Sequence, residues 1–231
     1  MRKILVVSGC SWTDKYFKSM FHPEMDCSWP KWPELLSEKL DMDCVNLGRS
    51  GSGNEYIYST LLDHLTKNKL EDIGLVIPAW TRASRRDFSV ATKWRNLRLD
   101  PKGDLDYFIM KSMRYYYSLQ EVSKGLNVPL KQIHMLNPYA GLDNPYPNAT
   151  WFARDKEASD RAKKEAVKTF MSSNYSDKID DTNFIGWPVE VKIGGFSAWD
   201  KFKEEHFISD LDRHPNEKGQ KLIAELIYGF I

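Results

Sequence analysis

The first residues that can do chemistry lie in Val6-Val7-Ser8-Gly9-Cys10-Ser11-Trp12-Thr13, directly after the apolar run Ile4-Leu5-Val6-Val7. Aliphatic and β-branched residues closed by glycine read as a buried strand ending in a sharp turn. Such a turn leaves Ser11 at the carboxyl edge of a sheet, where α/β proteins bind ligands. A serine in that place is a candidate nucleophile, and a helix starting just after it would aim unpaired N–H groups at an anion forming beside the hydroxyl. The plainer reading of Gly-x-Ser is a turn hydroxyl that caps a helix. Partners elsewhere decide between the two.

The strongest partner is near the other end, in Ser209-Asp210-Leu211-Asp212-Arg213-His214-Pro215-Asn216. Leu222, Ile223, Leu226, Ile227 and Phe230 repeat at helical spacing after it, and Pro215 suits a first helical turn, so His214 stands on a loop at a helix entrance. Asp212 lies two residues earlier, on the same side of an extended segment. A carboxylate beside an imidazole fixes its tautomer and stabilises the imidazolium that appears when it takes a serine proton. His206, Asp210 and His214 offer a rival reading as metal ligands at four-residue spacing, but Pro215 breaks the helix this needs, and no metal is expected.

A third loop, Gly48 to Gly53, follows the short apolar segment Asp43-Cys44-Val45-Asn46. Its three glycines allow close backbone approach, yet they match neither Gly-x-Gly-x-x-Gly nor a P-loop ending, so phosphate binding is disfavoured. A fourth run, Ile73-Gly74-Leu75-Val76-Ile77, delivers Trp80, Thr81 and Arg82 to the same edge as Ser11.

In this order the blocks resemble those of the SGNH hydrolases, also called GDSL-type esterases and lipases. Gly9-Cys10-Ser11 resembles the family's Gly-Asp-Ser with Cys in place of Asp. Val45-Asn46-Leu47-Gly48-Arg49-Ser50-Gly51 is similar to the second block, with Gly51 in the family's place, and Trp32-Pro33-Glu34-Leu35-Leu36 to the helix after the first. Asp212-Arg213-His214-Pro215 is similar to Asp-x-x-His-Pro but one residue shorter. The third block, Gly-x-Asn-Asp, has no counterpart near Leu75–Arg82. The resemblance implies a three-layer α/β/α, flavodoxin-like fold with a central parallel sheet and loop or helix cap insertions. Ser11 would be the nucleophile and His214 the base. Asp212 would be the acid, with Asp210 as the alternative because Leu211 falls in the family's place. The backbone N–H groups of Ser11 and Gly51 would hold the oxyanion, with Thr81 or Asn54 standing in for the absent Asn. Trp12, Trp80 and Arg82 would line the substrate site. Cys10 as nucleophile is disfavoured, because its side chain should point away from that of Ser11.

The remaining elements must position these groups. Helices are expected from about Pro33 to Leu40, from an Asn54 cap through Leu65, from Leu105 to Lys124, and over Asp155–Thr169 with Ala162, Val167 and Phe170 as a thin apolar side. Lys131–Leu136 reads as a fourth strand, in which His134 pairs with a backbone group, and Asn183–Pro188 as the last strand of the sheet. Val189–Ile193 alternates like a half-exposed strand. Insertions are placed around 83–103 and 140–200: an Arg- and Trp-rich segment read as a solvated loop with aromatic anchors, and an aromatic 140–153 loop read as part of a cap. The Tyr115-Tyr116-Tyr117 run reads as packing with hydrogen-bonded rims.

Bulk properties fit a single α/β domain over 1–231. With 33 Lys and Arg against 32 Asp and Glu, no global field favours nucleic acid or an anionic membrane. Three cysteines without paired or metal-type spacing suit reduced thiols, and Met1-Arg2-Lys3 leads straight into a strand with no transmembrane run anywhere, so a cytoplasmic location is expected. The function read from the sequence is a serine esterase or acyl hydrolase. It would cleave an ester of a small molecule, short acyl or acetylated sugar or lipid, through an acyl-enzyme and without a cofactor. The rivals are an acyltransferase with the same triad and a non-catalytic ligand-binding protein on the same fold.

Overall fold

The apolar run that opens the chain becomes strand β1 (Ile4–Gly9), and its alternation divides the core in two. The computed structural model describes residues 2–90, 93–98, 105–138 and 156–231, the side chains of 96–98, 105 and 156–163 excepted. Five parallel strands form the main sheet in the order β2-β1-β3-β6-β7, with β2 at Asp43–Asn46, β3 at Ile73–Trp80, β6 at Gln132–His134 and β7 at Phe184–Ile185. Leu5 and Val7 of β1 and Leu75, Ile77 and Ala79 of β3 face one layer, with Trp32, Leu36, Ile223 and Ile227. These come from α1 (Trp32–Lys39) and α5 (Glu217–Tyr228). Val6, Val76 and Trp80 face the other layer, built from α2 (Asn54–Lys67), α3 (Leu105–Leu126) and α4 (Lys156–Met171). Strands buried on both faces are apolar throughout, which is why β1 and β3 read as unbroken runs.

This is the three-layer α/β/α architecture expected from the sequence. From β1 the chain steps to β2 on one side and then crosses to β3 on the other, so the order reverses at β1. Ligand-binding crevices open outside the carboxyl ends of strands at such a reversal. The loops after β1 and β3 therefore flank one cleft.

Four local readings are corrected. No helix follows Ser11: residues 10–14 make one tight turn in which the Cys10 carbonyl accepts from Thr13 N (2.9 Å) and Asp14 N (3.0 Å). Asn54 does not cap α2, because it is the helix's first residue and its side chain is turned into the core. Pro215 stands before α5 rather than in its first turn, since Asn216 is the cap and accepts from Gly219 N at 3.0 Å. Val189–Ile193 is not a strand. Val189 has φ 59°, which no extended strand tolerates, and Val191–Ile193 winds into a 3₁₀ turn capped by the Glu190 carboxylate.

The Arg-rich segment after β3 is not an irregular loop but an antiparallel hairpin, β4 (Arg85–Val90) with β5 (Lys93–Arg98). Period-two patterning was hidden there because most of its residues are polar on both faces. The 140–153 loop lies outside the described residues.

His134 and Tyr116 are core groups. His134 Nδ1 lies 3.1 Å from Leu136 O and Nε2 3.0 Å from Tyr116 Oη, and full burial pushes the imidazole down to about 3. A neutral histidine bridging two layers needs no catalytic explanation.

Candidate active site

Gly9 ends β1 because nothing larger fits: a Cβ there would lie 2.2 Å from Thr13 Oγ1. The turn that follows holds Ser11 nearly buried, at 8% exposure, with its hydroxyl 2.8 Å from His214 Nε2. His214 Nδ1 is 2.5 Å from Asp212 Oδ1, and the same oxygen accepts from His214 N at 3.2 Å. Residues 203 positions apart in sequence thus meet in one line, hydroxyl to imidazole to carboxylate.

The loop that carries His214 and Asp212 is stitched from end to end. Ile208 N donates to His214 O (2.9 Å), Ser209 N to Asp212 O (3.1 Å) and Asn216 N to His206 O (3.0 Å). Asn216 Nδ2 adds bonds to Glu205 O and Phe207 O. The loop is therefore rigid before any ligand arrives, as preorganised chemistry requires.

A second layer of polar groups was not legible in the sequence. Ser19, buried in the loop after Ser11, donates to Asp212 Oδ2, and its Oγ accepts from His22 N at 2.9 Å. His22 Nε2 lies 2.7 Å from Ser209 Oγ, which accepts from Asp212 N at 3.0 Å. Both carboxylate oxygens of Asp212 are thus taken, and the residue is 1% exposed. Phe17 lies against the His214 ring at 4.4 Å between centroids. No motif or periodicity in residues 17–22 announces these roles.

Burial by itself would raise the Asp212 carboxyl, but hydrogen bonds from Ser19 and His214 outweigh it and hold the group below its ordinary value, so it is ionised at neutral pH. His214 moves down as well. Burial is the main cause, Asp212 opposes it, and the Arg85 and Arg82 charges add to the fall. Near neutral pH the imidazole is therefore the free base.

The Gly48–Gly53 loop is tied to the turn after β1. Arg49 N donates to Gly9 O (2.9 Å), while Ser50 N (2.8 Å) and Ser50 Oγ (2.6 Å) donate to Asp14 Oδ2. Gly51 has φ 83°, a left-handed conformation that favours glycine. The hairpin clamps the same loop from the other side. The buried Asp87 accepts from Gly53 N (2.8 Å) and Tyr56 N (2.9 Å) at the start of α2, and Arg85 Nη1 donates to Ser52 O (2.7 Å). Asp87 so does the capping that sequence reasoning gave to Asn54.

The other sequence candidates divide. Arg82, Trp12 and Arg85 wall the same cavity as Ser11 and His214. Trp12 is only 2% exposed and packs on Trp199 (5.4 Å) and Phe202 (4.6 Å). Trp80 is not brought to the site: it is fully buried in the layer with α3, and its indole N–H donates to Gln132 Oε1 at 2.9 Å. Asn54 is committed to the core, receiving Thr81 N at 2.9 Å and donating to Thr81 O, Ser112 Oγ and Tyr116 Oη. Thr81 is buried, and its Oγ1 has no hydrogen-bond partner among the described residues. Cys10 is buried among the β1 and α1 side chains and does not line the cavity that holds Ser11. Asp210 is exposed and pairs with Arg213 at 3.5 Å, while His206 Nδ1 accepts from Lys203 N at 2.9 Å.

Fold and site together define a class, an α/β/α protein in which a serine hydroxyl, an imidazole and a carboxylate lie in hydrogen-bonded line at the carboxyl edge of the sheet. No protein-family model and no curated protein matches the chain. Solved structures do. The chain is similar to the lipase Lip_vut3 from a goat rumen metagenome, at 13% identity over 99% of this chain and 97% of that one, with a TM-score of 0.51. It is also similar to the esterase EstA from Pseudoalteromonas sp., at 15% identity over 98% and 95% with a TM-score of 0.48. A member of the lipolytic protein G-D-S-L family from Veillonella parvula matches at 13% identity over 98% and 97% with a TM-score of 0.45. The likeness to the rumen lipase shows a shared fold, and it is the fold that the sequence blocks imply.

Proposed function

We propose that the protein is a serine esterase that works through an acyl-enzyme. The observation that carries this reading is the line Ser11 Oγ to His214 Nε2 (2.8 Å) and His214 Nδ1 to Asp212 Oδ1 (2.5 Å), on a rigid loop at the ligand-binding edge of the sheet. As the Ser11 oxygen bonds to the ester carbonyl carbon, His214 takes the hydroxyl proton, and Asp212 stabilises the imidazolium. His214 then gives that proton to the departing alcohol. Water, deprotonated by His214, attacks the acyl-enzyme, and the proton returns to Ser11 Oγ as the acid leaves.

The negative carbonyl oxygen needs donors. Among the described residues neither Ser11 N–H nor Gly51 N–H is used in a hydrogen bond, which supports both as oxyanion donors. Of the two side chains that could replace the absent Asn, Asn54 is spent on the fold and the Thr81 hydroxyl is not, which favours Thr81. Each such donor is worth about 3 kcal/mol of transition-state stabilisation. Nothing in this chemistry calls for a cofactor, and no helix among the described residues is long and apolar enough to cross a membrane.

A fluorophosphonate probe tests the reading. Wild-type protein is expected to be labelled at Ser11, as mapped by mass spectrometry of the modified peptide, and His214→Ala is expected to lose the label. A folded wild-type protein that stays unlabelled would leave a ligand-binding role on the same fold. Product analysis with an added acceptor alcohol separates hydrolysis from acyl transfer.

A pH dependence follows from the same site. Because the free imidazole is the base and its pKa lies below the ordinary 6.5, kcat/KM for a neutral ester should rise with pH along an acid limb centred below 6.5. A pH–rate profile reads this directly, and a limb above 6.5 would contradict the burial and the Arg82 and Arg85 charges described.

A further inference from the structure

We propose that the ester this site takes carries a carboxylate, held by Arg85 with Arg82 beside it; this names a substrate class for the esterase reading and rests on it. The cavity that holds Ser11 and His214 is walled by three arginines, Arg82, Arg85 and Arg213, and by two acids, Asp210 and Asp212. Three of these five groups, Asp212, Asp210 and Arg213, are engaged with protein partners. Asp212 is spent on His214 and Ser19. Arg213 is matched by Asp210 at 3.5 Å and by Glu204, and its guanidinium lies over the Phe207 ring at 5.1 Å.

Arg82 and Arg85 come from the other wall, where β3 runs into the hairpin, and both are half-buried. Among the described residues the Arg85 side chain makes one hydrogen bond, from Nη1 to Ser52 O. That bond fixes the head while most of the planar donor fork remains for a ligand, and a fork of this kind matches a carboxylate bidentately. The buried acid of the same hairpin, Asp87, turns its two oxygens to Gly53 N and Tyr56 N instead. Both arginine charges reach the reacting groups, since each pushes the His214 imidazole downward. A substrate anion would offset that field, and a purely apolar acyl chain would have to desolvate it at a cost.

The opposite rim suits the rest of such a molecule. Phe21 is 60% and Leu211 72% exposed at the cavity wall, and Trp199, stacked on Trp12 at 5.4 Å, belongs to the same wall. A short apolar stem along these side chains, ending in a carboxylate at Arg85, satisfies both sides at once.

Matched ester pairs test this. On the acyl side the para-nitrophenyl monoester of glutaric acid is compared with para-nitrophenyl pentanoate; on the alcohol side para-carboxyphenyl butanoate is compared with phenyl butanoate. The charged member of at least one pair should have a kcat/KM about tenfold or more above its neutral partner, the gain expected of one charge-assisted bond. High salt should shrink the preference, and Arg85→Gln should reduce it toward unity, with Arg82→Gln reducing it less. Equal or reversed selectivity in both pairs, with the esters still hydrolysed, would overturn the inference and leave the esterase reading standing. If no ester is hydrolysed, calorimetric titration of the Ser11→Ala protein with glutarate still decides: binding that Arg85→Gln removes supports the cation site, and absence of binding sinks it.

Discussion

Replacing Ser11 by alanine should lower hydrolysis of a responsive ester by up to about a million-fold, while leaving the protein folded. Loss of the nucleophile of a serine–histidine relay removes nearly all the covalent route, and the remaining rate comes from the oxyanion donors and binding alone. The Ser11 hydroxyl makes its hydrogen bond to His214 and to nothing else among the described residues. Its removal therefore costs the fold about 1 kcal/mol at most. Circular dichroism and the thermal midpoint should stay near wild type as the rate collapses. His214→Ala should lose about as much, and the double variant scarcely more, because the pair acts as one unit. Retained turnover in folded Ser11→Ala protein would remove Ser11 from the mechanism, and Cys10, fully buried and outside the cavity lining, offers no substitute.

How much of this site was legible depends on how local its signals are. Ser11, Asp212 and His214 could be found because two short blocks carried them, one closing an apolar run and one opening an amphipathic helix. The β1–β2–β3 topology was legible for the same reason: fully buried parallel strands leave continuous apolar runs. Trp80 misled because strand length decides which face a residue takes. β3 continues to residue 80, and its alternation turns that indole into the α3 layer instead of the cleft. Asn54 misled because a helix-start asparagine looks like a cap, whereas a carboxylate from a later hairpin supplies the capping. Ser19, His22 and Asp87 act through partners 31 to 193 residues away, and contacts at such separations leave no local pattern in a sequence. The hairpin that brings Asp87 was hidden for a related reason, its residues being polar on both faces.

The sharpest test of the relay itself is its acid, since the sequence left Asp212 and Asp210 both open. Asp212→Asn should lower kcat by about 10⁴-fold, the usual result when the orienting carboxylate of such a relay becomes an amide. The cause is a matter of donors. Asp212 Oδ1 accepts the proton on His214 Nδ1, which leaves Nε2 as the acceptor facing Ser11 Oγ. An amide nitrogen in that place donates to Nδ1 instead, the proton moves to Nε2, and the ring can no longer take one from the serine. The Ser19 hydroxyl, which donates to Asp212 Oδ2, favours the amide oxygen at that end, whereas His214 N, which donates to Oδ1, favours it at the other; either orientation removes the negative charge that stabilises the imidazolium. Asp210→Asn should change kcat little: its side chain is 89% exposed and touches Arg213, not the imidazole. Steady-state kinetics on the two variants separates the assignments, and the reverse order of effects would move the triad acid to Asp210. Fluorophosphonate labelling adds a second readout, because a ring held in the wrong tautomer slows labelling of Ser11 in Asp212→Asn without removing the serine.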